Sequence, residues 1–197
     1  MATASHAGFL LVMMDCPQSI EEEFNAWYDT EHIAERLAVP GIVSARRFVC
    51  QVGHPKYLAM YDLDSPEVMD SPAYLKVAHG NSSPWTKRVT GRVRVFRYAG
   101  RQVWPGNRAT QAGVRVAVLR FRGLTAEAER DLIAGLEANM AGRPEIIQAR
   151  LLAHDTGNGI DYLAFVEARA PLGDRLDLAA FKGRADALDL VNVYAPY

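Results

Sequence analysis

The sequence predicts an α+β fold made of two βαββαβ units that pack sheet against sheet within one chain. The first observation is size, because 197 residues with 49% hydrophobic and 23% charged side chains suffice for one large or two smaller cores. The second is that strand and helix patterns follow the same order in both halves. Since each unit would leave one face of its sheet bare, two units are expected to cover each other as a barrel.

The third observation is that short segments recur at an offset of 104 to 105 residues. PGIVSAR at 40–46 matches PEIIQAR at 144–150, and YLA at 57–59 matches YLA at 162–164. Such a repeat indicates a diverged duplication. We therefore expect residues 1–100 to form the first unit, 101–112 a linker that contains Pro-Gly-Asn, and 113–197 a second, degenerate unit.

Strand and helix signals alternate through the first half. Apolar or β-branched runs predict strands at 9–14, 42–51, 57–63 and 92–98, and the second and third form a hairpin around Gly53. A helix at 19–37 is predicted from Ser19 as its cap, acidic residues in its first turn and apolar residues at helical spacing. Three serine-proline pairs predict a helix broken into pieces across 66–90.

The second half repeats this order. Strands are predicted at 113–121, 146–154, 162–167 and 188–194, and helices at 125–140 and 174–187. Any pocket is expected between the two sheets or at their helical rim.

Charge and composition exclude several classes of protein. A formal net charge of -1 argues against nucleic-acid binding, and no apolar run is long enough for a membrane span. The amino terminus lacks the pattern of a signal peptide, so a cytoplasmic location is expected. Two cysteines are too few for a disulfide framework or a thiolate metal cluster. The expected partner is a small-molecule substrate.

Three motifs in the first half resemble the EthD-like branch of the dimeric α+β-barrel superfamily. They are NAWYDTEH at 25–32, Pro40-Gly41 followed by SARRF at 44–48, and the later YLAMY and SPW segments at 57–61 and 83–85. The resemblance covers residues 8 to 100. It implies a ferredoxin-like barrel with a pocket for small aromatic or polyketide-derived molecules. Several relatives with this motif are lyases, isomerases, cyclases or monooxygenases that work without a cofactor. The resemblance also implies a possible homodimer. It places the family's helix histidine on His32.

The predicted catalytic residues are His32 and Asp29. On an α-helix, residues three apart share one stripe, so Asp29 would fix the tautomer of His32 and leave the other ring nitrogen as a general acid or base near neutral pH. Arg36 would neutralise developing negative charge beside it. The simpler alternative is a helix-terminal histidine with ordinary salt-bridge neighbours.

Five residues are candidates for binding the substrate: Tyr28, Arg46, Tyr61, His79 and Trp85. An arginine facing the barrel interior would hold a carboxylate or phenolate, because its fork of donors matches two oxygens. An ordinary structural role is the alternative for four of them: core packing for Tyr28, solvent exposure for Arg46, a surface role for His79 and a hydrophobic staple of the broken helix for Trp85.

No cofactor and no metal are expected. Asp29, His32 and His79 are of types that bind zinc or iron, but no tight ligand pair such as HExxH and no glycine-rich nucleotide motif is present, and haem stays an alternative. His6 and His54 are not expected in the site. The offset places Leu136 or Glu137 opposite His32, so one site, in the first half, is expected.

The sequence thus predicts a cofactor-independent lyase, dehydratase or isomerase that moves protons with His32 on a small aromatic or polyketide-like molecule. The alternatives are a non-catalytic small-molecule binding or accessory protein, and a monooxygenase that works without cofactor or with a metal or haem.

Overall fold

The computed structural model describes residues 7–50, 52–172 and 176–197, with only the backbone of His79; His6 and Gln51 lie outside the described residues. The fold is mixed α+β, and its strands close into one barrel. The strands are β1 (Gly8–Asp15), β2 (Ile42–Cys50), β3 (Tyr57–Leu63), β4 (Arg94–Trp104), β5 (Arg115–Leu124), β6 (Ile146–Asp155), β7 (Ile160–Ala168) and β8 (Leu188–Pro196).

The strand order around the barrel is β1-β3-β2-β8-β5-β7-β6-β4, and the paired strands are antiparallel. Each half supplies four adjacent strands, and the halves join where β2 pairs with β8 and where β4 pairs with β6. The α+β class and the barrel are therefore confirmed. The division into two ferredoxin-like units stays a prediction.

The inside of the barrel is filled by side chains. One cluster of buried residues draws on all eight strands and contains Phe9, Leu11, Phe48, Phe165 and Tyr194, among others. The other two clusters lie on the outer faces of the sheet, one beneath the helices of each half. Because alternate residues of a strand point to opposite faces, each strand serves both an inner and an outer core. Space for a ligand is therefore found under the helices.

The first helix is continuous in direction but not in winding. It starts with a 3-10 turn (Gln18–Ile20), continues as α1 (Glu21–Trp27), widens into a π-helical turn (Tyr28–His32) and ends as α2 (Ile33–Leu37). Ser19 lies inside the 3-10 turn and does not cap the helix. Apolar residues Ile20, Phe24 and Trp27 face the sheet, as their spacing predicts.

The segment between β3 and β4 is a broken helix, as the three serine-proline pairs predict. Its pieces are a 3-10 turn (Pro66–Asp70), α3 (Pro72–Leu75), a 3-10 turn (His79–Asn81) and α4 (Pro84–Thr90). Ser71 and Ser83 act as caps, since their hydroxyl oxygens accept from the backbone N–H groups of Tyr74 (3.1 Å) and Thr86 (3.0 Å).

Two element predictions for the second part of the chain are wrong. The expected linker at 101–112 begins later, because β4 continues to Trp104. The expected helix at 174–187 is instead a 3-10 segment (Leu178–Ala187). It is interrupted at Lys182, because a backbone φ of 51° is incompatible with a right-handed helix. Residues 173–175 lie outside the described chain. The helix predicted at 125–140 is present as a 3-10 turn (Ala126–Ala128) and α5 (Glu129–Met140). Within the described ranges, no helix is both long and apolar enough to cross a membrane.

Arg150 is the charged residue that ties the halves of the barrel together. It has no solvent exposure, and its Nη1 lies 2.7 Å from Asp62 Oδ1 of the first half. Its Nε lies 3.6 Å from Glu167 Oε2 of its own half. Although burial opposes ionisation, Arg150 holds the pKa of Asp62 below its ordinary value, whereas burial raises the pKa of Glu167.

The connection between the halves is fixed by the same carboxylates. The backbone N–H of Thr110 donates to Asp62 (2.8 Å), and that of Gln111 donates to Glu167 (2.5 Å). Ser44 and Gln148, which occupy matching places in the repeat, also donate to Asp62 and Glu167 respectively. Hydrogen bonds to one carboxylate of each half thus hold the connecting segment in place.

We expect Arg150→Met to lower the free energy of unfolding by about 3–5 kcal/mol, because it leaves a buried carboxylate without its charge partner. The matched control is Arg46→Met. Arg46 occupies the same place in the first repeat but is exposed, so its loss should change stability by no more than about 0.5 kcal/mol. Urea unfolding of both variants checks this. Similar losses for the two would show that Arg150 does not hold the halves together.

Candidate functional site

A cavity of about 230 Å³ lies between the first helix, the broken helix and the outer face of the first sheet. Its apolar floor is formed by Leu10, Val12 and Met14 of β1. Its polar and aromatic residues are Trp27, Tyr28, His32, Arg36, Tyr61, Tyr74, Ser82, Thr86, Thr90 and Arg97. The mouth lies between the end of α4 and β4, where Thr90 and Arg97 are exposed.

The π-helical turn delivers two of these side chains. The backbone N–H of Ile33 donates to the carbonyl of Tyr28, five residues earlier, so this turn holds one more residue than an α-helical turn. Tyr28 and His32 sit at the two ends of the turn, and both line the cavity. Such local widenings of a helix are frequent at functional sites.

His32 lies in an aromatic cage. Its ring centroid is 4.2 Å from that of Trp27 and 5.2 Å from that of Tyr28, whose ring presents its edge. The Tyr61 ring lies farther away, at 6.5 Å and perpendicular. Trp27 is fixed in turn, since its Nε1–H donates to the hydroxyl of Thr86 (3.0 Å). The imidazole is therefore held by packing on several sides.

Burial and two nearby guanidinium groups, of Arg36 and Arg47, lower the pKa of His32 to about 3. The imidazole is consequently neutral at neutral pH. Its Nδ1 is buried without a hydrogen bond to any described residue and lies 3.9 Å from Glu35 Oε2, an atom that is likewise buried and without a hydrogen bond to any described residue. Burial raises the pKa of Glu35. A small shift or a bridging molecule would join the two groups.

The expected pairing of Asp29 with His32 is wrong. Asp29 is half exposed and accepts a hydrogen bond from Arg47 Nη1 at 2.6 Å. Because the π-helical turn holds more residues than an α-helical one, positions three apart no longer share a stripe. Glu35, which follows His32 within the regular helix α2, takes the place next to the imidazole.

Tyr28 and Tyr61 are both brought to the cavity as predicted. Each is almost fully buried, and burial raises the pKa of Tyr28 to about 12 and that of Tyr61 well above its ordinary value. The Tyr28 hydroxyl donates to Met14 Sδ at 3.2 Å. The Tyr61 hydroxyl lies close enough to that of Tyr28 to interact electrostatically, yet no hydrogen bond of normal geometry joins it to any described residue. Both phenols stay neutral over the physiological range.

Two of the other predicted binding residues, Arg46 and Trp85, are not in the described cavity wall. Arg46 is exposed on β2, outside the stretch that pairs with β8, which agrees with the alternative of solvent exposure. Trp85 packs on the opposite side of α4, against the start of the first helix, which agrees with the staple alternative. His79 begins a 3-10 turn, and its side chain lies outside the described part of the chain.

The cavity residues that are absent from the predicted site include Tyr74, Thr86 and Arg97. Arg97 Nη2 donates to the Tyr74 hydroxyl at 2.9 Å, and the Arg36 guanidinium lies 5.3 Å from the Tyr74 ring centroid. Tyr74 and Thr86 each stand three residues after a capping serine, which is the signal that fixes their placement. Nothing in the sequence shows which face of β4 carries Arg97.

A second cavity, of about 280 Å³, lies over the other sheet, between α5 and strands β5, β7 and β8. Val166 lines it at the position that the 105-residue offset relates to Tyr61. Leu136, which the offset relates to His32, is fully buried. The lining is apolar except for Asn139 and Arg143. The acid–base groups of the first cavity thus have no counterpart among the described lining residues of the second.

Among the residues that the structure describes, no three histidine, cysteine or acidic side chains are grouped as they would be around a metal ion.

No protein-family model matches the sequence, and no curated protein matches it either.

Solved structures of other proteins share the fold. An anthrone oxidase-like protein aligns with a TM-score of 0.69 at 12% identity, over 100% of this chain and 93% of its own. A proposed monooxygenase from Lactobacillus acidophilus NCFM aligns at 0.57 and 10% identity, over 98% and 94%. A chlorite dismutase variant from Candidatus Nitrospira defluvii aligns at 0.59 and 10% identity, over 98% and 93%. These alignments show that the chain shares the fold of these proteins.

Proposed function

We propose that the chain is an enzyme that binds a small aromatic or polyketide-like molecule in the first cavity and moves a proton on it with His32. The observation that carries this is a neutral imidazole, caged by aromatic rings, at a cavity that also holds neutral phenols and guanidinium groups. A neutral imidazole can accept a proton, but the low pKa makes His32 a weak base until negative charge is brought beside it. The reaction class is an isomerisation, dehydration or lyase reaction.

The proton movement uses groups that the structure brings together. A C–H or O–H of the substrate gives its proton to the free ring nitrogen of His32, and the electron pair stays on the substrate as an enolate or phenolate. Glu35, 3.9 Å from Nδ1, then stabilises the imidazolium, as Asp29 was expected to do. Return of the proton to another substrate atom completes an isomerisation.

The size of the cavity supports a compact substrate. A volume of about 230 Å³ lies below the range of about 300–1,000 Å³ typical of pockets for drug-sized ligands. Haem, a large macrocycle, does not fit such a space, so no step is derived through it. The aromatic walls favour a flat ring system.

We further propose that the chain arose by duplication and that only its first half retained the chemistry. The paired contacts Ser44 with Asp62 and Gln148 with Glu167, at matching places in the two repeats, support a common origin. The apolar second cavity supports the loss of acid–base function.

An oxygen-dependent reaction is the second candidate. It is favoured by the anthrone oxidase-like and proposed monooxygenase neighbours and by the same first step, because a carbanion in the cavity can reduce O₂. A ring CH₂ would then become a ketone, with one oxygen atom of O₂ entering the product and the other leaving as water. Turnover under nitrogen separates the two candidates, since an isomerase or dehydratase keeps its rate without O₂.

For a substrate found by screening small phenols and polyketide-like compounds, we expect His32→Gln to lower turnover by about 10²- to 10⁴-fold with little change in melting temperature. Asp29→Asn should cost less than about tenfold, because Asp29 is half exposed and bonded to Arg47. Turnover and melting are measured on the same preparations. A His32→Gln protein that melts much earlier yet keeps its turnover per folded molecule would make His32 a structural residue. Binding without turnover in the unaltered protein would favour an accessory protein instead.

The low pKa of His32 makes stability fall with acid. An unfolded histidine titrates near pH 6.5, whereas His32 in the folded chain titrates near 3, so the unfolded state binds more protons between these values. Stability is therefore lost as the pH falls below about 6.5, by up to about 1.4 kcal/mol per pH unit. Between pH 7 and 5 we expect the unaltered protein to lose about 2 kcal/mol more than His32→Gln in urea unfolding. Equal losses would contradict the neutral imidazole.

A further inference from the structure

Two hydrogen-bond donors in the wall of the first cavity lack an acceptor at normal geometry. Arg36 is 5% exposed and Tyr61 1% exposed, yet Arg36 Nη1 bonds to no described residue, and the Tyr61 hydroxyl makes only a poorly aligned contact with the hydroxyl of Tyr28. Buried polar groups without partners are rare in folded proteins, because each costs the free energy of its lost hydration. Two of them on one cavity indicate a ligand that supplies the missing acceptors.

The charge around Arg36 shows what kind of acceptor is missing. Its Nη2 donates to the backbone carbonyl of Val77 at 2.7 Å, which is a neutral partner. Arg36 also forms an ion pair with Glu35. The distance between Arg36 Nη2 and Glu35 Oε2 is 3.8 Å, which is too long for a hydrogen bond. Arg97 adds a second guanidinium at the mouth, and no acidic residue is among the described residues that line the cavity. The described cavity wall therefore carries two guanidinium groups and no carboxylate, and the nearest acidic partner of Arg36, Glu35, lies outside that wall.

We propose that the ligand of this cavity is a flat monoanion, an aromatic carboxylate or phenolate, whose charged oxygen is held by Arg36 Nη1 and the Tyr61 hydroxyl. The inference rests on the proposed function for the location of the site and adds the substrate class. A guanidinium and a neutral phenol both donate, so together they match the lone pairs of one anionic oxygen. The apolar floor of Leu10, Val12 and Met14 then receives the ring.

The same arrangement explains how His32 would act on such a ligand. With the anionic oxygen fixed at Arg36, which is one helical turn beyond His32, the ring extends towards the imidazole. Charge that develops on the ring during proton removal is delocalised onto the held oxygen. Arg36 and Tyr61 are in this account binding and specificity-determining residues.

The test compares charged and neutral probes of one shape by calorimetry, with no turnover required. We expect benzoate to bind the unaltered protein about tenfold or more tightly than benzamide. 4-Nitrophenol serves as the phenolate arm, since the absorbance of its anion reports the state in which it binds. A preference for the anion with either probe supports the proposal, and the arm that shows it identifies carboxylate or phenolate. If neither probe binds more tightly as the anion, the proposal is wrong.

Variants of the two donors assign the preference to this site. Tyr61→Phe removes a hydroxyl whose one contact, with the Tyr28 hydroxyl, is poorly aligned, so it should change the melting temperature little while weakening binding of the anion by about threefold or more. Its control is Tyr57→Phe, which removes a 2.8 Å hydrogen bond to Glu21 outside the cavity and should leave probe binding unchanged. Equal binding by Tyr61→Phe and the unaltered protein would overturn the role of Tyr61.

Arg36→Lys keeps the charge but loses the second arm of the fork, so binding of the anion should fall by about tenfold. Arg88→Lys is the matched control, because Arg88 is exposed on α4 and pairs with Glu23. If Arg36→Lys binds benzoate as the unaltered protein does, the proposed anion site is wrong. Selective binding of the anion without any turnover would refute the proposed enzymatic function and leave the anion site standing.

Discussion

The ion pair between Arg150 and Asp62 is the interaction on which the position of the candidate site depends. It joins the two halves inside a closed barrel whose main cluster of buried side chains is hydrophobic. Because side chains alternate along β3, fixing Asp62 inside the barrel fixes Tyr61, its neighbour in sequence, on the opposite face beneath the helices. A one-residue slip of this strand would exchange the two, placing a phenol in the barrel and a carboxylate in the cavity. The register that closes the barrel is thus also the register that builds the cavity.

The π-helical turn is the second constraint. It rotates Asp29 away from His32 and leaves the imidazole among Trp27, Tyr28 and the two arginines, where a charged ring is disfavoured. Asp29 instead bonds to Arg47, whose guanidinium stacks between the rings of Tyr28 (4.3 Å) and Tyr197 (3.9 Å). One extra residue in a helical turn therefore decides which carboxylate serves the histidine. With Asp29 turned towards Arg47, the described lining of the cavity contains Arg36 and Arg97 but no acidic side chain.

Much of this could be predicted from the sequence, because hydrophobic periodicity and capping chemistry act locally. The strand positions and the breaks at Ser71 and Ser83 follow from such patterns, whereas the presence of His32, Tyr28 and Tyr61 at one cavity follows from the resemblance of their motifs to a known family. The failures arise where tertiary structure decides. A π-helical turn has no local signature, so Asp29 was assigned to the wrong partner. The exposure of Arg46 depends on how far β8 extends along β2. The positive φ of Lys182 interrupts the segment for which a continuous helix is predicted.

The measurement that tests the central claim most directly is a crystal structure of the protein with a small aromatic acid or phenol bound. The account predicts the ring in the first cavity, against Leu10 and Val12, in contact with His32 and with its oxygen at Arg36. A ligand seated in the second, apolar cavity beneath α5, or in the first cavity but away from His32, would contradict it.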